Sequence, residues 1–98
     1  MYPLKRTGDR VRRDLERYRK KIDGIDRRVV RLLKRRFQLV RGIGALKREK
    51  GLAVAQPERE EEILRRVTEG VRGREIRGFL ITVFRAVFSA SRSAEEER

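Results

Sequence analysis

The sequence predicts an all-α fold of three helices, the first far longer than the other two. Three observations predict it. Apolar residues recur at spacings of three and four along most of the chain, which is the period of a half-buried helix. No stretch alternates apolar and polar residues with the period of a strand. The glycines at Gly51 and Gly70 fall where one apolar stripe ends and another begins.

Residues 1–8, with Pro3 and Gly8, read as a flexible lead-in, and residues 9–98 as a single helical domain. From there Leu15, Tyr18, Ile22, Ile25, Val29, Leu32, Leu33, Val40 and Ile43 trace one stripe, which predicts a helix from about Asp9 to about Lys50. Gly24, Gly42 and Gly44 each weaken that helix by about 1 kcal/mol relative to Ala. Gly42 and Gly44 suit close packing better than a turn. Gly51 stands where a C-terminal cap belongs. After a connector over residues 51–55, Gln56-Pro57-Glu58-Arg59-Glu60-Glu61 opens the second helix, with Pro in the first turn and acids that complement the dipole. Its inner face is Ile63, Leu64, Val67 and Val71. Residues Gly70 to Arg74 make the next break, and Ile76, Phe79, Leu80, Val83, Phe84, Val87 and Phe88 define the third helix.

A first helix of some forty residues spans roughly 60 Å at 1.5 Å per residue. A compact globule of 98 residues has a diameter of only about 33 Å. Half of such a helix would project from a monomer with its apolar stripe wet, so an obligate oligomer is expected, most simply a dimer. A chain this short buries only about 60–65% of its unfolded surface, which points the same way.

Composition removes whole classes of chemistry. The chain has neither Cys nor His. Disulfides, thiolate nucleophiles, imidazole catalysis and the usual zinc sites are therefore excluded. No 18-residue apolar run marks a membrane span, and the first twenty residues lack the apolar stretch of a signal peptide, so a cytoplasmic protein is expected. The 28 basic against 15 acidic side chains give a net charge of +13, which suggests an anionic partner. The chain also lacks Asn and has only Gln38 and Gln56 as amides. Scarce amides with abundant Arg and Glu fit a thermophile or a GC-rich genome, where Arg enrichment is background.

The position of the charges says more than their number. On a helical wheel Tyr18, Ile22, Ile25, Val29, Val40 and Ile43 lie within about 30° of one direction. Arg36 and Lys47 fall inside that stripe and face the same way within about 20°. A buried cation without an anion costs several kcal/mol. Either these two pair with acids of a neighbouring helix, or the helical interior holds an anionic ligand. Arg59 and Glu60 stand one turn before Ile63 and Leu64 on the second helix. On the third, the row Leu80, Phe84, Phe88 continues into Ser91 and Glu95.

These residues, in this order, resemble the all-helical class of chorismate mutases. The likeness runs through Arg19-Lys20-Lys21-Ile22-Asp23, Leu32-Leu33-Lys34-Arg35-Arg36, Ile43-Gly44-Ala45-Leu46-Lys47 and Pro57-Glu58-Arg59-Glu60, and covers about residues 15–95. The resemblance implies an intertwined homodimer of three-helix chains. It implies conversion of chorismate, a dicarboxylate, to prephenate with no cofactor and no metal. By position, Arg19 would reach across the interface into the partner's site, and Arg36 and Arg19 would bind the two carboxylates. Lys47 would donate to the ether oxygen, Arg59 would orient the substrate, Glu60 would accept from the ring hydroxyl and Ser91 would assist at a carboxylate. Gln56 stands where many members carry Asp and can still accept from a hydroxyl. Glu95 stands where members carry Gln or Glu, and it can donate to the ether oxygen only as the neutral acid. An isochorismate-pyruvate lyase of the same fold is an alternative. So is a basic nucleic-acid-binding dimer, although it leaves Arg36 and Lys47 on the inner face unexplained.

Overall fold

The computed structural model describes the backbone of residues 2–96 and the side chains of residues 8–96. It contains three helices in the order expected: α1 over Tyr2–Lys50, α2 over Pro57–Thr68 and α3 over Arg74–Glu96. Helix α1 starts at Tyr2 and not near Asp9, so the expected lead-in is helical from its second residue. Pro3 does not prevent this, because the first-turn N–H groups have no intrahelical acceptor to lose. Met1 lies outside the described residues.

The chain divides into two compact units, residues 1–35 and residues 36–98. The first unit is the leading part of α1. Its polar faces carry local pairs such as Arg17 with Asp14 at 3.1 Å and Arg12 with Asp9 at 3.8 Å. Exposed pairs of this kind contribute a few tenths of a kcal/mol. Its apolar stripe, Val11, Leu15, Tyr18, Ile22, Ile25 and Val29, is exposed along its whole length.

The second unit holds the end of α1 together with α2 and α3. Helix α1 stops at Gly51, whose φ of +69° is the left-handed conformation that glycine adopts without strain. The Gly51 N–H donates to the Arg48 carbonyl at 3.3 Å and the Leu52 N–H to the Lys47 carbonyl at 2.8 Å. Those two bonds are the Schellman motif, so the cap expected at Gly51 is present. Pro57 begins α2, and the Gln56 carbonyl accepts from the Arg59 and Glu60 N–H groups at 3.1 and 3.2 Å. Glu58 and Glu60 lie in the first turn, where the helix dipole favours them.

Helix α2 ends at Thr68, two residues before the Gly70 that the sequence suggested as the break. The Thr68 hydroxyl turns back onto the Leu64 carbonyl at 2.7 Å, and Arg77 of α3 donates to the carbonyls of Thr68 and Val71 at 2.8 and 3.0 Å. Of the orphan carbonyls at the end of α2, that of Thr68 is thus satisfied from the next helix. Helices α2 and α3 pack on one another. Phe84 and Phe88 of α3 stack at a tilt with centroids 6.2 Å apart. Phe88, Ala94 and Val40 of α1 form the small buried apolar centre of this unit, while Ile63, Leu64 and Val67 are half-buried. Phe79 and Ile76, placed on the apolar row of the third helix by spacing, are exposed at its N-terminal end.

Candidate active site

The face of α1 that meets α3 is written at positions 36, 40, 44 and 47, spaced by four and three residues along the helix. Val40 and Gly44 are buried, and charged Arg36 and Lys47 bracket them, half-buried. Both cations find partners on α3. Arg36 Nη1 donates to the Ser91 hydroxyl, which in turn donates to the Val87 carbonyl of its own helix at 2.7 Å. Lys47 Nζ donates to Glu95 Oε1 at 2.6 Å. Glu95 is only 7% exposed, so this is a charge-assisted contact in a part-dry environment, where it is stronger than a surface pair.

Lys47 has a second bond, from Nζ to the Val54 carbonyl at 2.9 Å. An ammonium carries three N–H donors and no acceptor. Two are thus committed to holding the side chain between α3 and the connector, and one remains for a ligand. Arg36 presents five donors in a planar fork, of which the Ser91 contact uses one. Each cation thus keeps donor capacity over while it is anchored at its tip. Of the two explanations for charges in the apolar stripe, pairing with a neighbouring helix is present for Lys47, and it leaves donor capacity over.

Helix α2 brings the remaining candidates to the same unit. Glu60, one turn into α2, is half-buried and pairs with Arg92 Nη1 of α3. Arg59 lies on the exposed side, where it pairs with Glu62 three residues on. It is not among the residues drawn together by Lys47 and Glu95 here. Gln56 is exposed at the N-cap of α2 and makes no side-chain capping bond, so its amide is uncommitted there. Arg19 lies in the first unit on α1, exposed.

Three contributors were not legible as site residues from the sequence. Arg92 follows Ser91 and looks like solvated charge until its partner Glu60 is seen. Arg48 lies beside the stripe, and its acceptor, the Glu95 carbonyl at 2.7 Å, is main chain. Gly44 was expected only as a close-packing position. A Cβ there would stand 2.5 Å from the Glu95 carbonyl oxygen and 2.9 Å from its Cα.

The cluster of Arg36, Lys47, Glu60, Ser91 and Glu95 joins all three helices of the second unit. It is part-buried and carries two cations, Arg36 and Lys47, beside two carboxylates, Glu60 and Glu95. A sequence profile of the family described as chorismate mutase type II matches residues 18–96, a span that takes in every candidate from Arg19 to Glu95. Among curated proteins, the bifunctional chorismate mutase/prephenate dehydratase of Aquifex aeolicus (strain VF5) is similar, 33% identical over 90 residues that cover 86% of this chain and 24% of that protein. The chain spans about a quarter of the length of this relative. No solved structure matches the chain. With the family profile matched over most of its length and an all-helical fold bringing these residues to one cluster, the chain belongs to the chorismate mutase type II family.

Proposed function

We propose that the chain converts chorismate to prephenate at the cluster around Lys47. The observation that carries this reading is the third, uncommitted donor of Lys47, anchored by Glu95 and Val54 and set on the same stripe of α1 as the fork of Arg36, about three turns along. The rearrangement is unimolecular. One C–O bond breaks, one C–C bond forms, and no atom enters or leaves. It asks nothing of a nucleophile, a metal or a redox group, so a chain with neither His nor Cys can perform it.

Two physical terms then supply the acceleration. The carboxylates are gripped by Arg36, with Ser91 beside it, and by Arg19 from a second chain, which holds the compact conformer in which the two carbon termini meet. The planar Arg fork suits a carboxylate better than an ammonium does. Lys47 aims its free N–H at the ether oxygen, where negative charge grows as the bond stretches. A preorganised donor of this type is worth about 2.7–4 kcal/mol. Glu95 fixes the direction of Lys47, and when protonated it adds a second donor at the same oxygen. Glu60, paired with Arg92, accepts from the ring hydroxyl. Gln56 and Arg59, at the start of α2, orient the substrate from its outer side.

The second chain is part of the same reading. Tyr18, Ile22 and Ile25 in the first unit are 61%, 52% and 56% exposed. Covering them with the same stripe of another copy is the simplest two-fold arrangement, and it brings in Arg19 with them.

The test is the loss of chorismate ultraviolet absorbance, with prephenate identified as product, for the natural chain and for Arg36→Ala. The expected result is turnover that falls by about a hundredfold or more in the variant, the scale of removing one fixed charge-binding group. Absence of turnover by a folded natural chain overturns the reading.

A further inference from the structure

The last turn of a helix leaves four carbonyls without intrahelical donors and carries the negative end of the dipole. Helix α3 ends at Glu96 with no basic residue of its own in that turn. Glu95 belongs to the last described turn. A cation reaches this turn from α1: Arg48 Nη1 donates to the Glu95 carbonyl at 2.7 Å.

One helical turn earlier, Gly44 is buried against the same peptide. Any side chain there would overlap the Glu95 carbonyl oxygen, Cα and carbonyl carbon, at 2.5, 2.9 and 3.1 Å from an added Cβ. These are backbone atoms, which cannot swing aside as the tip of a side chain can. Residues 44, 47 and 48 thus take hold of residue 95 at three points. Gly44 sets how near its backbone comes, Arg48 holds its carbonyl, and Lys47 holds its carboxyl.

We propose that Arg48 is a positioning residue for the reaction: with Gly44 it docks the C-terminal turn of α3 so that the Glu95 side chain meets Lys47. This rests on the mutase reading above. Arg48 is exposed and its contact is to main chain, so it has no part in gripping the substrate. Its loss lets the last turn of α3 drift. A displacement of about 1 Å at a catalytic pair is enough to cost up to about a hundredfold in rate. The deficit belongs in kcat and leaves KM nearly alone, because the carboxylate-binding arginines stay in place.

A double-mutant cycle on chorismate turnover tests this, with Arg48→Ala, Arg48→Lys, Glu95→Ala and the Arg48→Ala/Glu95→Ala pair, each checked for helix content. Arg48→Ala is expected to lower kcat roughly tenfold with KM within about twofold of the natural value. Arg48→Lys keeps a cation at the helix end and is expected to recover part of that loss. Once Glu95 is Ala there is no carboxyl left to position, so adding Arg48→Ala is expected to change kcat by less than about twofold. Losses that multiply in the double variant, a KM effect as large as the kcat effect, or full activity of Arg48→Ala each overturn the proposal. An inactive but folded natural chain is a separate outcome: it removes the mutase reading, and this inference with it.

Discussion

Gly44 is a residue at which helix propensity and site geometry pull in opposite directions. Ala is worth about 1 kcal/mol more than Gly inside a helix, and α1 is unbroken across this position. Yet the added methyl would press on the backbone of Glu95 at 2.5 Å, and forcing an extra carbon into a packed contact costs about 1–3 kcal/mol. The second term wins. Gly44→Ala is expected to lower stability by about 1 kcal/mol and to lower turnover about tenfold or more by moving Glu95 off Lys47. Gly42 is the control, two residues away in the same helix with nothing within 4 Å of an added Cβ. Gly42→Ala is expected to raise stability by up to about 1 kcal/mol with turnover unchanged. Urea unfolding at one fixed chain concentration, alongside chorismate turnover, checks both. Equal behaviour of the two variants would remove the close approach of Gly44 from the account.

Among the elements, the end of α1 carries the most structure per residue. Gly51 closes the helix with both Schellman bonds, and the carbonyl of Lys47 is the acceptor of one of them. The same residue sends its side chain to the connector at Val54. Gly51→Ala must hold an L-residue at φ near +69°, and it is expected to cost about 1–2 kcal/mol in urea unfolding. An unchanged midpoint would mean that the cap does not control where α1 stops. This cap was legible in the sequence, because a glycine at the end of an apolar stripe has one common structural meaning. The start of α1 was not. Pro3 and Gly8 resemble helix breakers by type, but a first-turn proline forfeits no hydrogen bond, and a single glycine costs too little to end a long helix. The same division runs through the candidate site. Arg36, Lys47, Ser91 and Glu95 showed themselves as polar residues on apolar stripes, which periodicity detects. Arg59 shares a face with Ile63 by the same rule, yet it lies exposed and pairs with Glu62 one turn on. Arg48 could not be found by pattern at all, since its partner is a carbonyl and every residue type has one.

For the whole molecule the decisive feature is how little apolar surface one chain buries. Among the described residues only Val40, Phe88 and Ala94 are buried hydrophobics, and no side chain is less than 2% exposed. A domain with so small an interior has little with which to offset conformational entropy. The stripe of the first unit is apolar surface left exposed, and Arg19 lies on the same stretch of helix. If a second copy covers that stripe and lends Arg19, each site draws Arg36 from one protomer and Arg19 from the other. Arg19→Ala and Arg36→Ala homodimers are then both inactive, for different reasons. Unfolding the two variants together and refolding them as an equal mixture gives half heterodimers. In each heterodimer one site receives the natural arginine from both chains and the other site receives neither. The mixture is therefore expected to regain about a quarter of the natural turnover, while either variant refolded alone regains none. Recovery well below that value, with sedimentation showing that mixed dimers have formed, would place Arg19 and Arg36 in the same chain's site and end the shared-site arrangement. Sedimentation as a monomer at micromolar concentration would end it sooner.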